Sequence, residues 1–133
     1  MTMINVSKPL LTKSIIFFGL LLGASGSAFA EGQFSQGCHD FELKLPYLHA
    51  RCKGLLHTVN STRININNYI GVHDGQLIWK RNGNFNYNAK LCSLVGTNLG
   101  CAILDSNKKI HYSVINLDEH IGNFYGNLVY QGP

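Results

Sequence analysis

The sequence predicts an all-β domain of short antiparallel strands and hairpins with short helical turns, folded from two tandem copies of one unit. Three observations carry this. Residues 32–79 laid on 83–130 without a gap, an offset of fifty-one, coincide at ten positions: Gly32/Gly83, Phe34/Phe85, Leu43/Leu94, Leu48/Leu99, Ile64/Ile115, Asn65/Asn116, Ile70/Ile121, Gly71/Gly122, Gly75/Gly126 and Leu77/Leu128. Apart from one asparagine pair these are apolar residues and glycines, the types that set a core and its turns. Next, apolar residues alternate in short runs, and no stretch keeps a helical period beyond about one and a half turns. Lastly, Asp74-Gly75 is a strong tight-turn signal, because both central positions of a type I′ turn need φ > 0. A unit present only twice is too few for an open solenoid, which needs about three repeats to bury a continuous core. Two copies therefore imply one pseudo-symmetric domain with two related surfaces.

Taken in order, residues 1–30 read as a signal peptide. Lys8 and Lys13 form a weakly basic start, Ile15 to Leu22 is a short apolar core broken by Gly19, and Ala28-Phe29-Ala30 supplies small residues at −3 and −1. The apolar run is far short of the roughly 20 residues that span a bilayer. The mature domain is then 31–133, secreted or periplasmic, with repeat one at 32–81 and repeat two at 83–130. A chain of that size supports one small domain with a modest core.

Phe41, Leu43 and Leu45 alternate before Pro46, and Leu48, Ala50 and Cys52 alternate after it, which predicts a hairpin turning near Pro46-Tyr47. Arg63-Ile64-Asn65-Ile66 is a further strand, and residues 67–70 read as a single helical turn. Asp74-Gly75 leads into a strand from Gln76 to Lys80. In the second copy Val114 to Leu117 is the strand, Asp118 to Ile121 the short turn, and Tyr125-Gly126 the tight turn before Asn127 to Tyr130. The join, Lys80-Arg81-Asn82-Gly83-Asn84, is polar and reads as a flexible hinge.

Without Lys8 and Lys13 the eleven basic residues fall to nine against seven acids, a net charge of +2. They are scattered, adjacent only at Lys80-Arg81 and Lys108-Lys109, whereas a nucleic-acid binder clusters them on one face. The sequence argues against a phosphate-driven partner such as nucleic acid. All four cysteines lie in the exported part, and an even number in a short secreted chain reads as a disulfide framework. Cys38 with Cys52 and Cys92 with Cys101 is the simplest of three connectivities. No C-x-x-C or H-x-x-x-H spacing suggests a metal site, and no cofactor is implied.

The block Phe34-Ser35-Gln36-Gly37-Cys38, then Leu48 to Cys52, then Ile64-Asn65-Ile66-Asn67 through Asp74-Gly75-Gln76-Leu77-Ile78-Trp79, carries a family pattern. So does Ile115-Asn116-Leu117-Asp118-Glu119-His120-Ile121-Gly122-Asn123, ending Gly126-Asn127-Leu128-Val129-Tyr130. Together they closely resemble the cyanovirin-N family of lectins, across Gln33 to Tyr130. The resemblance implies two pseudo-symmetric halves, each mixing strands from both repeats. It also implies a sugar site at each distal end for mannose-rich oligosaccharides ending in α1,2-linked mannose, and no catalysis. One departure concerns the second disulfide. At the fifty-one-residue offset the counterparts of Cys38 and Cys52 are Ala89 and Ile103, while Cys92 and Cys101 fall on 41 and 50. Opposed residues in an antiparallel hairpin keep a constant index sum, and the two cysteine placements differ by one in that sum. Either the bridge has moved three rungs toward the hairpin tip, or the repeats align with a gap.

Carried over residue by residue, the resemblance implies a first sugar site of Gln33, Gln36, Gly37, Lys53, Leu55, Asn123, Phe124 and Tyr125. The second comprises Gly71, Val72, His73, Asp74, Asn82, Gly83, Asn84, Tyr87 and Asn88, closed by Asp105, Ser106 and Lys108. Sugar hydroxyls donate and accept together, so neutral amides and carboxylates suit them, with an aromatic face against the C–H surface. Both sites depart from the family pattern. The turn usually reading Asn-x-Asp-Gly is Val72-His73-Asp74-Gly75 in repeat one and Asn123-Phe124-Tyr125-Gly126 in repeat two, and Lys53 and Leu55 stand where polar or acidic groups are common. The second site keeps the richer polar set and is expected to be the stronger. Two rival readings are a glycosidase, which needs paired carboxylates in a cleft where only Asp118-Glu119 are adjacent, and a structural or adhesion module of the same fold without sugar binding. The hinge contains Gly83 and no proline, so a monomer is expected in dilute solution, with a domain-swapped dimer as the alternative assembly.

Overall fold

The computed structural model describes residues 32–133; the expected signal peptide lies outside them. Ten strands follow: β1 (Cys38–Lys44), β2 (Tyr47–Lys53), β3 (Val59–Asn65), β4 (Ile70–His73), β5 (Gln76–Trp79), β6 (Ala89–Val95), β7 (Asn98–Leu104), β8 (Ile110–Asn116), β9 (Ile121–Phe124) and β10 (Asn127–Tyr130). Each repeat supplies a three-stranded antiparallel meander, β1-β2-β3 or β6-β7-β8, and a two-stranded hairpin, β4-β5 or β9-β10. Between them lie single 3-10 turns, including Phe34–Gln36 and its counterpart Phe85–Tyr87.

The hairpins are exchanged between the repeats. β5 packs on β8, and β10 packs on β3. A hydroxyl seals each exchange: Ser113 Oγ accepts the Leu77 amide at 3.0 Å, and Thr62 Oγ1 accepts the Leu128 amide at 3.2 Å. These four residues are two pairs at the fifty-one-residue offset, so one hydrogen bond is made twice. Each half is therefore a meander from one repeat capped by the hairpin of the other, as the resemblance implies. On the pseudo-twofold axis Trp79 and Tyr130, themselves counterparts, have ring centroids 5.9 Å apart. Flanking them, Tyr69 stacks on Tyr130 at 4.4 Å and His120 meets Trp79 at 5.0 Å.

The core repeats in the same way. Phe34 and Phe85, Leu48 and Leu99, Ile66 and Leu117, and Ile70 and Ile121 are all fully buried. Among the described residues every core residue lies between Phe34 and Leu128. The helical turns begin earlier than the sequence suggests, at Ile66–Asn68 and Leu117–Glu119. The reason is local: Asn65 Oδ1 accepts the Asn67 amide and Asn116 Oδ1 the Asp118 amide, an Asx cap that starts the turn one residue sooner. That earlier start delivers Ile66 and Leu117 into the core and accounts for the repeated asparagine.

Both disulfides close their own meander, Cys38–Cys52 and Cys92–Cys101. Ala89 faces Ile103 as Cys38 faces Cys52, so the repeats align without a gap. Each hairpin then carries a bulge, between His39 and Glu42 and between Lys90 and Ser93, with Asp40 (φ 56°) and Leu91 (φ 51°) in the left-handed region. The bulge adds one residue to one strand, which supplies the extra unit in the index sum.

The join between repeats is not a free hinge. The amides of Lys80, Asn82 and Asn84 donate to the carbonyls of Tyr69, Asn68 and Asn67. Gly83 lies so close to Ile70-Gly71 that a Cβ there would meet backbone atoms at 2.4 Å. On the other side of the pseudo-twofold axis residues 32–33 and 131 take this place: the amides of Gln131 and Gln33 bond the carbonyls of His120 and Asp118, and the Gly32 amide bonds Gln131 Oε1.

Candidate functional site

The repeat builds two comparable ends. At each, the tip of an exchanged hairpin stands beside a 3-10 turn and the loop that leaves a meander. Both tips are type I′ turns, with Asp74 and Gly75 at φ 51° and 80° and Tyr125 and Gly126 at 51° and 94°. Their glycines are buried against the opposite repeat: a Cβ on Gly75 would meet the His111 ring at 2.7 Å, and one on Gly126 would meet the Asn60 amide at 2.3 Å. Non-glycine residues at the first tip position are strained, so the side chains of Asp74 and Tyr125 are held outward on a fixed platform.

At the first end the structure brings Gly37, Lys53, Asn123 and Tyr125 together. Asn123 Nδ2 donates to the Lys53 carbonyl at 3.0 Å, Asn123 Oδ1 accepts the Gly126 amide at 2.7 Å, and the Lys53 amide donates to the Gly37 carbonyl at 2.8 Å. A Cβ on Gly37 would strike Asn123 Nδ2 at 2.6 Å, so this glycine is needed for the approach. Asn123 thus clamps the hairpin and spends both ends of its amide doing so. Phe124 and Tyr125 are exposed and touch edge to face at 4.7 Å. Leu55 and Leu56 are also exposed, in a loop where Leu56 and His57 take positive φ. An open groove of about 570 Å³ runs along Lys53, Gly54, Leu56, His57, Thr58 and Val59. Gln33 and Gln36 border a neighbouring groove of about 370 Å³ with Asn116, Asp118 and Glu119.

At the second end Gly71 packs on Gly83, and β4 lies against the Phe85–Tyr87 turn. Val72 takes the place of Asn123 and packs on the core, so no side-chain clamp forms there. His73, Asp74, Asn82, Asn84, Tyr87 and Asn88 are exposed, Tyr87 at 83%. Ser106 and Lys108 are exposed on the loop beyond β7, whereas the Asp105 side chain is only 10% exposed. Asp105 organises that loop: Oδ1 accepts the amides of Asn107 and Lys109 at 2.8 and 2.9 Å, and Oδ2 hydrogen-bonds His111 Nε2 at 2.6 Å. His111 in turn supports the Asp74-Gly75 tip.

The Asp105 carboxyl is held below the usual carboxylate range, first by the His111 hydrogen bond and then by the amides of Lys109 and Asn107. A depressed folded value means the loop's stabilisation is complete above the unfolded value of about 3.9 and is lost as pH falls through the lower folded one. The amide proton shifts of Asn107 and Lys109 are expected to titrate together with a midpoint below about 3.9. Independent midpoints at the ordinary value would show that the network is absent.

Sequence reasoning missed His57, Thr58, Asn60 and His111. The offset itself could have found one of them, since His57 is the counterpart of Lys108; Asn60 and His111 are counterparts of each other. The adjacent acids are each committed separately. Asp118 accepts the Ser35 amide and hydroxyl, and Glu119 Oε1 accepts Trp79 Nε1–H at 2.9 Å. Among the described residues no group of three or more His, Cys, Asp and Glu converges as a metal site would need.

Comparison with known proteins agrees with this architecture. Residues 34–129 match the CVNH domain family. The fold is similar to a variant of MoCVNH3 solved in complex with (N-GlcNAc)4, with TM-score 0.72, 22% identity, and coverage of 74% of this chain and 97% of that one. It is similar to the CVNH protein of Gibberella zeae, with TM-score 0.67, 24% identity, and coverage of 76% and 99%. A microvirin:mannobiose complex aligns with TM-score 0.66 at 23% identity, covering 74% and 98%.

Proposed function

We propose, from the premise that this chain belongs to the CVNH domain family, that it is an exported carbohydrate-binding lectin with one site at each end, selective for mannose-rich glycans ending in α1,2-linked mannose. The observation that carries the reading is the pair of rigid type I′ tips, the second of the two ends setting its tip, Asp74-Gly75, among exposed Asn82, Asn84, Asn88 and Ser106. Two solved relatives are complexes with sugars, one with mannobiose and one with (N-GlcNAc)4, which supports a glycan ligand. The protein acts by binding, not catalysis, with no cofactor.

The second end is the stronger site. Its Asp74 offers two acceptor atoms among exposed asparagines, whereas Asn123 at the first end has its amide engaged in the clamp. Each sugar hydrogen bond contributes only about 1 kcal/mol net, so free mannobiose binds weakly. Two ends engaging a dense glycan array together gain through effective concentration, by about 10²–10⁴. Asp74→Ala should weaken mannobiose binding about ten- to a hundredfold, by loss of a charge-assisted acceptor worth about 1.5–3 kcal/mol, and Tyr125→Ala should weaken it less. Calorimetric titration checks the ranking, and an Asp74→Ala protein that binds as before reverses it. A glycan array on the domain decides between this reading and a non-lectin module of the same fold, for which no mannoside would bind. The anchored join between repeats favours the closed monomer in dilute solution.

A further inference from the structure

At both ends a side chain near the start of a meander's last strand lies against the glycine of an exchanged tip. On β3 it is Asn60, against Gly126; on β8 it is the counterpart His111, against Gly75. The ends differ in the loop beside the tip. At the second end that loop holds Asp105, whose Oδ2 hydrogen-bonds His111 Nε2 at 2.6 Å. At the first end the corresponding residue is Gly54, where a Cβ would strike Thr58 Oγ1 at 2.7 Å. A carboxylate has no room there, so a side-chain latch of this kind belongs to the second end alone.

His111 meets two parts of the second end with two parts of its ring. Its carbon edge packs on Gly75, since a Cβ on that glycine would come within 2.7 Å of Cδ2 and 3.0 Å of Cγ. Its Nε2 bonds Asp105, and the other oxygen of that carboxylate gathers the amides of Asn107 and Lys109. The tip presents Asp74 and the loop presents Ser106 and Lys108, all exposed. One imidazole therefore sets the spacing between polar groups assigned to the same sugar. A loop ordered before the ligand arrives removes an ordering cost from binding. The bond to the carboxylate is of the stronger, charge-assisted kind, and the Asp105 side chain is largely shielded from water. His111 itself is 47% exposed and lies outside the core, so its replacement leaves the fold standing.

We propose that His111 is a positioning residue of the second sugar site, latching the Asp74-Gly75 tip to the 105–109 loop through Asp105. The proposal rests on the sugar reading of that end. The test is titration of the 15N-labelled protein with α1,2-linked mannobiose, following Asp74 and Gly75 amides for the second end and Gly126 for the first. His111→Phe fills the space against Gly75 but cannot donate, whereas His111→Gln keeps a side-chain N–H donor. His111→Phe should weaken binding at the second end about five- to tenfold and leave the first end unchanged. His111→Gln should bind within about twofold of the wild type. An acid titration without sugar reads the latch itself. In His111→Phe the midpoint of the Asn107 and Lys109 amides should move to higher pH, because the largest influence holding the Asp105 carboxyl low is gone. The other charged or titratable groups of this end, His73, Asp74, Lys108 and Lys109, are the same in all samples. Unchanged second-end affinity in His111→Phe with a raised loop midpoint overturns the proposal, since His111 then serves the loop alone. Lost affinity with an unmoved midpoint overturns it as well, since His111 would then touch the sugar directly. A wild-type protein with no sugar-induced shifts at 71–75 removes the site and the latch together, which marks that failure apart from the other two.

Discussion

Reduction of both disulfides is expected to remove about 5–6 kcal/mol of stability, close to the whole margin of a small domain. Each bond closes a short loop, Cys38–Cys52 at a separation of 14 and Cys92–Cys101 at 9, and loops of this size are worth about 3 kcal/mol each in the chain-entropy account. Against a typical total of about 5–15 kcal/mol, losing both leaves the native state barely populated. Because each bridge lies within one meander, Cys38→Ser/Cys52→Ser and Cys92→Ser/Cys101→Ser should destabilise separately and additively. Urea unfolding checks this. A reduced protein with the oxidised midpoint would show that the bridges merely decorate hairpins already fixed by packing. Peptide mapping that found a bridge between repeats would contradict the fold directly.

The next largest effect concerns Phe34 and Phe85. Both are fully buried, each in the single turn that begins its repeat. Truncating either to alanine is expected to cost about 3–5 kcal/mol, through lost transfer energy and the cavity left behind. The repeat predicts that the two losses are similar, although Phe34 alone meets a second ring, Phe41 at 4.8 Å, where Phe85's repeat has Cys92. Differential scanning calorimetry on Phe34→Ala and Phe85→Ala measures both. A loss below about 1 kcal/mol at either position would mean that the two halves do not share one core plan.

What the sequence made legible follows from where the information sits. Asp74-Gly75 and Gly126 announce tight turns because few residues accept φ > 0, and the structure has both turns where they were expected. The alternation of Leu48, Ala50 and Cys52 announces a one-sided strand, and all three are buried. Alternation says nothing about which strand lies opposite, so the hairpin exchange was reached through family resemblance. Its local trace, Thr62/Ser113 against Leu77/Leu128, is visible only once the exchange is known. The bulge at Leu91 could not be read, since leucine carries no signal for the left-handed region it occupies. The join at 80–84 was misjudged for the opposite reason: its polar, glycine-containing composition reads as flexible, while its amides are bound one after another to 67–69. Of the proposed sugar residues, Asn123 and Asp105 prove to be structural anchors as well; the partner of Asn123, the Lys53 carbonyl, lies 70 residues away, whereas Asp105 bonds His111 only six residues on.

The central claim, two sugar sites built by one repeat, is tested most directly by titrating the 15N-labelled domain with α1,2-linked mannobiose and following amide shifts. The account predicts two separate clusters of perturbed amides. One lies around 71–75, 82–88 and 105–108 and saturates first; the other lies around 33–37, 53–55 and 123–126 and saturates later. Perturbation elsewhere on the surface, or none at either end at millimolar sugar, would contradict it.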